Sequence, residues 1–246
     1  MVVCDLAVVT YLWSPDSPAK FGKHRYGPDD VRVLQRMVAR NLSVPHDFVV
    51  VTDWPEAFAD DSAIRAVPID WTKHIPGTCY VRLMTFSPQA ELLLGKRVLQ
   101  IDLDSVIVGS LDHLVARDED LVLWRNPRRW CLTDPDAGYA LKLALFNGSI
   151  LLHRSGTWTQ MWSDFDPSCP LARDDQWWFS FRAGPGCPYW DGSHGVYRLA
   201  HVDRPWSGVG VALPENACFV TFPGDTAKPW QPETIDAYPW IAEHRR

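Results

Sequence analysis

Two acidic residues, Asp102 and Asp104, stand between two short apolar runs in residues 97–111. The apolar runs, at 98–101 and 106–108, predict buried strands. Residues two positions apart point to the same face of an extended chain, so the two carboxylates are expected to converge at the end of a strand. Like charges buried together need a shared cation, and a divalent ion that also binds substrate phosphates meets that need. The alternative, acids that face water in a turn, is less favoured because both flanks are apolar.

The segments before the acidic pair alternate between strand and helix patterns. Strands are predicted at 6–12, 48–52 and 64–69, and a helix begins at Gly27-Pro28-Asp29-Asp30, where proline and acids suit a first turn. A second helix is predicted from Tyr80 to Leu94. This alternation is typical of parallel strands joined by crossover helices, and it predicts one α/β domain over residues 1–246.

The rest of the chain is less regular. Further strands are predicted at 121–124, 145–153, 196–199 and 218–222, and helices at 157–165 and 176–182. Residues 126–142 are polar and contain proline, which indicates a loop over one face of the sheet, and the C-terminal third after Ala183 is expected to be irregular.

Composition excludes several classes of function. The net charge of −6 argues against a nucleic-acid-binding protein. No window has the eighteen or so apolar residues of a membrane span, and the first residues lack the features of a signal peptide, so a cytoplasmic protein is expected. The six cysteines are scattered, which predicts reduced and mostly buried thiols without a zinc site. The thirteen tryptophans suit either a core or surfaces that stack on sugars and bases.

Four other patches carry side chains that could complete a site around the acids. Arg82 lies among apolar residues and could reach a phosphate, or it could be an ordinary surface arginine. Asn147 opens an apolar strand, where its amide could bind hydroxyls or cap a turn. Asp175 and Gln176 suit a sugar pocket or an acidic helix start. Lys228 follows a glycine turn, where an ammonium could neutralise a diphosphate leaving group.

The order and spacing of these patches resembles the glycogenin-like retaining glycosyltransferases of family eight and related bacterial and viral sugar transferases. The resemblance covers residues 3–232, and its specific parts are the acidic strand and the Lys-Pro-Trp ending. The matching stretches are 80–83, 98–109, 146–149, 175–176 and 228–230.

This resemblance implies a GT-A fold with a mixed, mainly parallel central sheet, a nucleotide-sugar donor (most often a UDP-sugar) and Mn²⁺ or Mg²⁺. It also implies transfer with retention to a carbohydrate or other acceptor. By motif match, the resemblance implies that Asp102 and Asp104 bind the metal and donor, and that Arg82 binds the donor. It implies that Lys228 binds the diphosphate and that the sugar is surrounded by Asn147, Asp175 and Gln176. The base and ribose would be held by Val9, Thr10 and Tyr11. Asp175 or Gln176 would face the reacting carbon, and Lys228 would stabilise the leaving group.

One departure from the family pattern concerns the metal. Such families usually place a histidine one to three residues before the glycine of the last motif, where this chain has Thr221, Phe222 and Pro223. Metal binding is then weaker, or another residue such as His201 substitutes, or catalysis has been lost. Two other functions therefore stay open: an inactive nucleotide- or sugar-binding protein, and a metal-dependent phosphohydrolase built on Asp102 and Asp104. The phosphohydrolase hypothesis leaves the Lys-Pro-Trp ending unexplained.

Overall fold

The computed structural model of the protein describes residues 4–15, 26–69, 79–126, 144–170, 172, 174–199, 209–222, 224 and 227–246. The loop predicted at 126–142 lies outside the described residues except for Asn126, and so does His201. The described chain forms a mixed α/β fold in which a seven-stranded, mainly parallel sheet lies between helices, as the sequence predicts.

The described strands form two sheets. In chain order they are β1 (Leu6–Leu12), β2 (His46–Thr52), β3 (Arg65–Pro68), β4 (Arg97–Ile101), β5 (Ser105–Ile107), β6 (Leu121–Arg125), β7 (Phe146–Arg154), β8 (Tyr189–Trp190), β9 (Val196–Arg198) and β10 (Phe219–Thr221). The large sheet has the order β3-β2-β1-β4-β7-β6-β8, and the small one the order β5-β10-β9. In the large sheet only β7 runs antiparallel to its neighbours.

The strand order creates a switch point between β1 and β4. From β1 the chain proceeds to β2 and β3 on one side, and it then returns to place β4 on the other side of β1. Because β7 is antiparallel, its first residues lie at the same edge as the last residue of β4. In open α/β sheets, ligands bind in the crevice outside the carboxyl ends of the strands at such a point.

The helices are mostly short. They are α1 (Pro28–Asn41), α2 (Ala90–Leu93), α3 (Asp112–Val115), α4 (Gln160–Ser163), α5 (Asp175–Ala183), α6 (Pro232–Ala237) and α7 (Trp240–His244), together with 3₁₀ helices at Pro55–Phe58, Cys79–Phe86 and Gly192–His194. The sequence correctly predicts α1 and α5 but does not predict α6 or α7.

The single helix predicted from Tyr80 to Leu94 is wrong. The chain instead forms the 3₁₀ helix Cys79–Phe86, turns, and begins α2 at Ala90. Pro88 explains the break, since proline has no N–H to donate and disfavours helical backbone at the residue before it. Likewise, only α4 forms within the helix predicted at 157–165, because Trp158 has a φ of 52°, which no right-handed helix accommodates.

The core covers both faces of the large sheet. Every residue of β1 is buried, as expected for a central parallel strand. On one face the apolar side of α1, which includes Val31 and Leu34, packs against the sheet. On the other face Val81 and Met84 of the 3₁₀ helix Cys79–Phe86 pack against β1, β2 and β4. That 3₁₀ helix is therefore fixed beside the switch point.

Two composition-based predictions can be compared with the described residues. No helix among them is long and apolar enough to cross a membrane. The cysteines described are free thiols, as predicted, but Cys187 and Cys218 alone are buried, while Cys4, Cys79 and Cys169 are partly exposed. The prediction of mostly buried thiols is therefore wrong for these five.

His153 makes stability depend on pH. Its imidazole is fully buried in β7, edge-on to Phe86, and its Nε2 lies 3.2 Å from the carbonyl of Thr157. Burial lowers the pKa of His153 from 6.5 to about 4. The unfolded chain therefore takes up a proton before the folded one, so stability decreases as the pH falls below about 6.5.

A substitution at His153 tests this effect. Between about pH 8 and about pH 5, we expect the native protein to lose about 2 kcal/mol more of its unfolding free energy than His153→Leu. Denaturant unfolding at both pH values measures the difference, and shifts at other groups cancel in the comparison. An equal loss in both proteins would show that His153 is not the origin.

Candidate functional site

The two predicted acids lie in a turn between β4 and β5. The prediction that they share one face of an extended strand is wrong, because the chain turns at Leu103 and Asp104. The turn is held on both sides: the Asp102 N–H donates to the Ser149 carbonyl at 2.9 Å, and the Phe222 N–H donates to the Asp104 carbonyl at 2.9 Å. The acids therefore stand at the switch-point edge, between the start of β7 and the end of β10.

Arg82 connects the acidic turn to helix α5. Its Nη1 pairs with Asp102 Oδ1, and its Nη2 lies 2.5 Å from Asp175 Oδ2. The Tyr11 hydroxyl donates to the Arg82 carbonyl at 3.3 Å. Arg82 is buried, which rules out the surface arginine considered from the sequence.

Lys228 binds the second acid. Its Nζ lies 2.5 Å from Asp104 Oδ2 and donates to the Phe222 carbonyl at 2.9 Å. The side chain is only 5% exposed, although Lys228 follows a glycine-containing segment. Each acid is therefore paired with its own base, Asp102 with Arg82 and Asp104 with Lys228.

The charge of Asp104 affects the ionisation of Asp102. Burial raises the pKa of Asp102 to about 6; Arg82 opposes this rise, and the neighbouring Asp104 adds to it. A second negative charge close to Asp102 makes its own ionisation less favourable. A cation bound between the two carboxylates would relieve that cost.

The predicted sugar residues gather beside Arg82. Asn147 is the second residue of β7, and its Oδ1 accepts a hydrogen bond from the Ser149 N–H at 2.8 Å, which is the turn-capping role considered from the sequence. Asp175 is fully buried, whereas Gln176, one residue further along α5, is partly exposed. The helix is capped by Asp174, whose carboxylate accepts from the Trp177 N–H at 2.8 Å.

The structure adds Tyr26 and Trp230 to the site. The Tyr26 hydroxyl interacts with Asp104, and burial together with that carboxylate raises the pKa of Tyr26. Its ring packs edge-on against Trp230, with centroids 5.1 Å apart. No sequence pattern singles out Tyr26, because it lies just before α1 and outside every motif of the sequence. Trp230 belongs to the Lys-Pro-Trp motif, and that motif is the sequence feature that indicates its place in the site.

The three predicted residues of β1 are buried. Val9 and Thr10 have no exposed surface, and Tyr11 has its hydroxyl on Arg82. The contacts of these residues with a base and ribose therefore stay a prediction. Trp13, just beyond the strand and partly exposed, packs against Tyr11 with ring centroids 5.9 Å apart.

The residues present can be tested for fit to a divalent metal. The described part of the chain contains no group of three His, Cys, Asp or Glu side chains placed to hold a metal ion. At the position expected for an imidazole, Thr221 and Phe222 are buried, and Pro223 and His201 lie outside the described residues. The donor set is therefore two carboxylates, which fits Mg²⁺ or Mn²⁺ only if phosphate and water complete the shell.

The chain is similar to known proteins in structure but not detectably in sequence. No family model matches the chain, and no curated protein sequence matches it. Among solved structures, the galactosyltransferase LgtC, determined with donor and acceptor sugar analogues, is similar with a TM-score of 0.58 and 16% identity over 96% of this chain and 94% of its own.

Two further similar structures are glycosyltransferases. The bifunctional enzyme WbbM has a TM-score of 0.61 and 12% identity over 100% of this chain and 50% of its own. GlyE of Streptococcus pneumoniae TIGR4 has a TM-score of 0.56 and 11% identity over 92% of this chain and 57% of its own. The chain thus has the GT-A fold that these glycosyltransferases share, as the resemblance implied.

Proposed function

We propose that this protein is a glycosyltransferase that moves a sugar from a nucleotide sugar, with UDP-sugars the first candidates, to a carbohydrate or other acceptor. The observation that carries the proposal is the acidic turn at the switch point of a GT-A fold, with Arg82 and Lys228 on its two carboxylates. The donor and acceptor analogues bound to LgtC support the same substrate class.

The charges of the site support binding of a diphosphate together with a divalent cation. Asp102, Asp104 and Asp175 face two bases, Arg82 and Lys228, so these five groups carry one net negative charge. A diphosphate alone would be repelled by this site. A divalent cation reverses the sign and makes the site attractive to the anion.

Asp102 and Asp104 are the residues that would hold this cation. When bound, it supplies positive charge that offsets the charge developing on the leaving diphosphate. The protein contributes the rest through fixed groups. Lys228 uses two of its three donors on Asp104 and the Phe222 carbonyl, and the third can serve a diphosphate oxygen.

Gln176 is the group we assign to the reacting face of the sugar. It is partly exposed at the start of α5, beside the Arg82–Asp175 pair. Asn147 would bind sugar hydroxyls with the donor side of its amide, since its Oδ1 is already engaged. Retention of configuration follows from the family resemblance, and residues 1–246 are proposed to act as one domain.

The second candidate function is that of an inactive nucleotide- or sugar-binding protein. The observation that favours it is Thr221, a buried hydroxyl at the position where relatives place a histidine ligand. A phosphohydrolase is less favoured, because such enzymes usually use more histidine ligands and the described residues form no such cluster.

Hydrolysis of nucleotide sugars separates these functions. The purified protein with Mn²⁺ is offered UDP-glucose, UDP-galactose, UDP-N-acetylglucosamine and GDP-mannose, and release of the nucleoside diphosphate is measured. We expect hydrolysis of at least one donor, lost in Asp102→Asn and kept in Asp120→Asn, a control on an exposed acid paired with Arg154. UDP binding without turnover of any donor would indicate the inactive protein, and cleavage of simple phosphate esters would indicate the hydrolase.

A further inference from the structure

We propose that Arg245, which lies directly after α7, is a positioning residue for the reaction. It holds the Trp230 and Tyr26 rings in place beside the acidic turn, and the Tyr26 hydroxyl in turn orients the Asp104 carboxylate. This role rests on the proposed function and deepens it, because it connects a residue outside every motif of the sequence to one of the two acids that would hold the cation.

Arg245 is anchored both by its backbone and by its guanidinium. Its N–H donates to the Ile241 carbonyl at 2.8 Å, and Ile241 has no exposed surface. Its Nη2 lies 2.6 Å from Asp30 Oδ1, and the Arg245 and Asp30 side chains are only 14% and 20% exposed. Because a pair with so little access to water is screened less than a surface pair, the guanidinium has a well-defined position.

Asp30 connects this anchor to the start of α1. Its other oxygen, Oδ2, accepts from the Gly27 N–H at 2.9 Å, and the Asp30 N–H donates to the Gly27 carbonyl at 3.0 Å. These two hydrogen bonds fix the first turn of α1. Tyr26 immediately precedes Gly27, so a single carboxylate ties Arg245 to the backbone that carries Tyr26.

The aromatic rings make a second connection. The Arg245 guanidinium lies over the Trp230 ring, 5.8 Å from its centroid, and Trp230 packs edge-on against Tyr26 with centroids 5.1 Å apart. The electron-rich face of an indole attracts a planar guanidinium. Arg245 therefore holds Tyr26 in two ways, through Asp30 and through Trp230, and the Tyr26 hydroxyl reaches Asp104.

Tyr26 is a different kind of partner for Asp104 from Lys228. The phenol forms a hydrogen bond to the carboxylate, whereas the Lys228 ammonium is paired with Asp104 Oδ2 at 2.5 Å. In the proposed reaction the ammonium also serves the diphosphate, while the neutral phenol keeps its hydrogen bond to Asp104. Outer partners of this kind fix the direction of a metal ligand, and their loss usually costs about 10- to 100-fold in metal affinity.

Arg40 provides a matched control, since it also ties the segment after α7 to α1. Its guanidinium donates to the His244 carbonyl at 2.7 Å and to the Arg246 carbonyl. Arg40→Met therefore loosens the same segment, but it leaves in place the cation over Trp230 and the pair of that cation with Asp30. Arg245→Met makes the same chemical change and removes both of those contacts.

The first measurement is the factor by which Mn²⁺ raises UDP affinity, taken as the ratio of the affinities with Mn²⁺ and with a chelator. We expect Arg245→Met to lower this factor about 10-fold or more, since Asp104 loses its fixed direction. Arg40→Met should change it less than about threefold. Because the factor is a ratio within one protein, a general loss of stability does not alter it. Equal effects of the two substitutions would overturn the proposal.

A double-substitution cycle tests whether Arg245 acts through Tyr26. Tyr26→Phe removes the hydroxyl and keeps the ring, and on that background Arg245→Met should change the factor less than about twofold. If the two losses multiply, Arg245 acts by another route and the proposal is wrong. Should Arg245→Met not fold, Asp30→Asn replaces it, because asparagine still accepts from the Gly27 N–H but no longer holds the guanidinium by charge.

Thermal unfolding separates this role from the proposed function. The contacts predict that Arg245→Met lowers the melting temperature of the native protein more than that of Trp230→Leu, in which the ring is already absent. If this difference is found but the native protein binds no UDP with or without Mn²⁺, the proposed function fails and the Arg245 contacts are structural only. If Mn²⁺ raises UDP affinity equally in the native protein and in Arg245→Met, only the positioning role fails.

Discussion

Lys228→Met is expected to lower kcat about 100-fold or more, with a much smaller change in KM for the nucleotide sugar. A fixed ammonium beside the leaving diphosphate gains most from the charge that develops as the sugar departs. Removal of the ammonium is therefore expected to slow the chemical step more than it weakens ground-state binding of the nucleotide sugar. Single-turnover measurement of sugar transfer or hydrolysis reports this step directly.

The position of Lys228 is the reason for expecting a large effect. Its ammonium is held by Asp104 Oδ2 at 2.5 Å and the Phe222 carbonyl at 2.9 Å, in a site with little access to water. A charge fixed in advance in such surroundings acts more strongly than one in water. Methionine fills similar space without the charge.

Lys96→Met is the matched control for this prediction. Lys96 is 67% exposed and pairs with Asp5 at 3.0 Å, away from the acidic turn. We expect this variant to keep native kcat, since an exposed pair contributes little. If Lys228→Met melts at a lower temperature but retains its turnover, Lys228 holds the turn together and takes no part in the reaction.

The strands of the sheet could be predicted from the sequence because their signal is local. Residues 6–12 are nearly all apolar, and the whole of β1 is buried between layers. The apolar spacing from Tyr80 to Leu94 continues past Pro88, so hydrophobic periodicity predicts a longer helix than the 3₁₀ helix Cys79–Phe86 that forms. Local steric effects thus ended a helix that hydrophobic periodicity alone would continue.

The membership of the site was predictable to a lesser degree. The motifs predict that Arg82, Asp102, Asp175 and Lys228 belong to one site, and these residues do lie together, but the sequence does not show which acid pairs with which base. Burial of Asp175 depends on Cys79 and Gly148, which reach it from two other elements. The contact of Tyr26 with Asp104 likewise joins distant parts of the chain, and no local pattern encodes it.

Metal binding is expected to be strongly coupled to nucleotide binding. Without nucleotide, a cation must compete with Arg82 and Lys228 for two carboxylates, and the described residues contain no group of three His, Cys, Asp or Glu side chains placed to hold it. With UDP present, the phosphates supply ligands to the ion and new partners to both bases. We therefore expect Mn²⁺ to bind about 100-fold or more tightly with UDP than alone, a coupling of about 2.7 kcal/mol.

Because the two binding equilibria are linked, the coupling can also be measured as the effect of Mn²⁺ on UDP affinity. Mn²⁺ must raise UDP affinity by the factor by which UDP raises Mn²⁺ affinity. Calorimetric titration of UDP with Mn²⁺ and with a chelator measures that factor. Asp104→Asn should abolish the increment and keep the fold, while Asp120→Asn, on an exposed acid paired with Arg154, should leave it unchanged.

His201→Ala decides whether an imidazole supplements the two acids. If Asp102, Asp104, phosphate and water complete the shell, this variant keeps the full Mn²⁺-dependent increment in UDP affinity. If the increment disappears, His201 acts in place of the histidine that relatives have where this chain has Thr221. A nucleotide-bound crystal structure should then show an imidazole nitrogen of His201 about 2.0–2.3 Å from the metal. UDP affinities that are equal with Mn²⁺ and with chelator would contradict both versions, because the basic side chains alone would then bind the diphosphate.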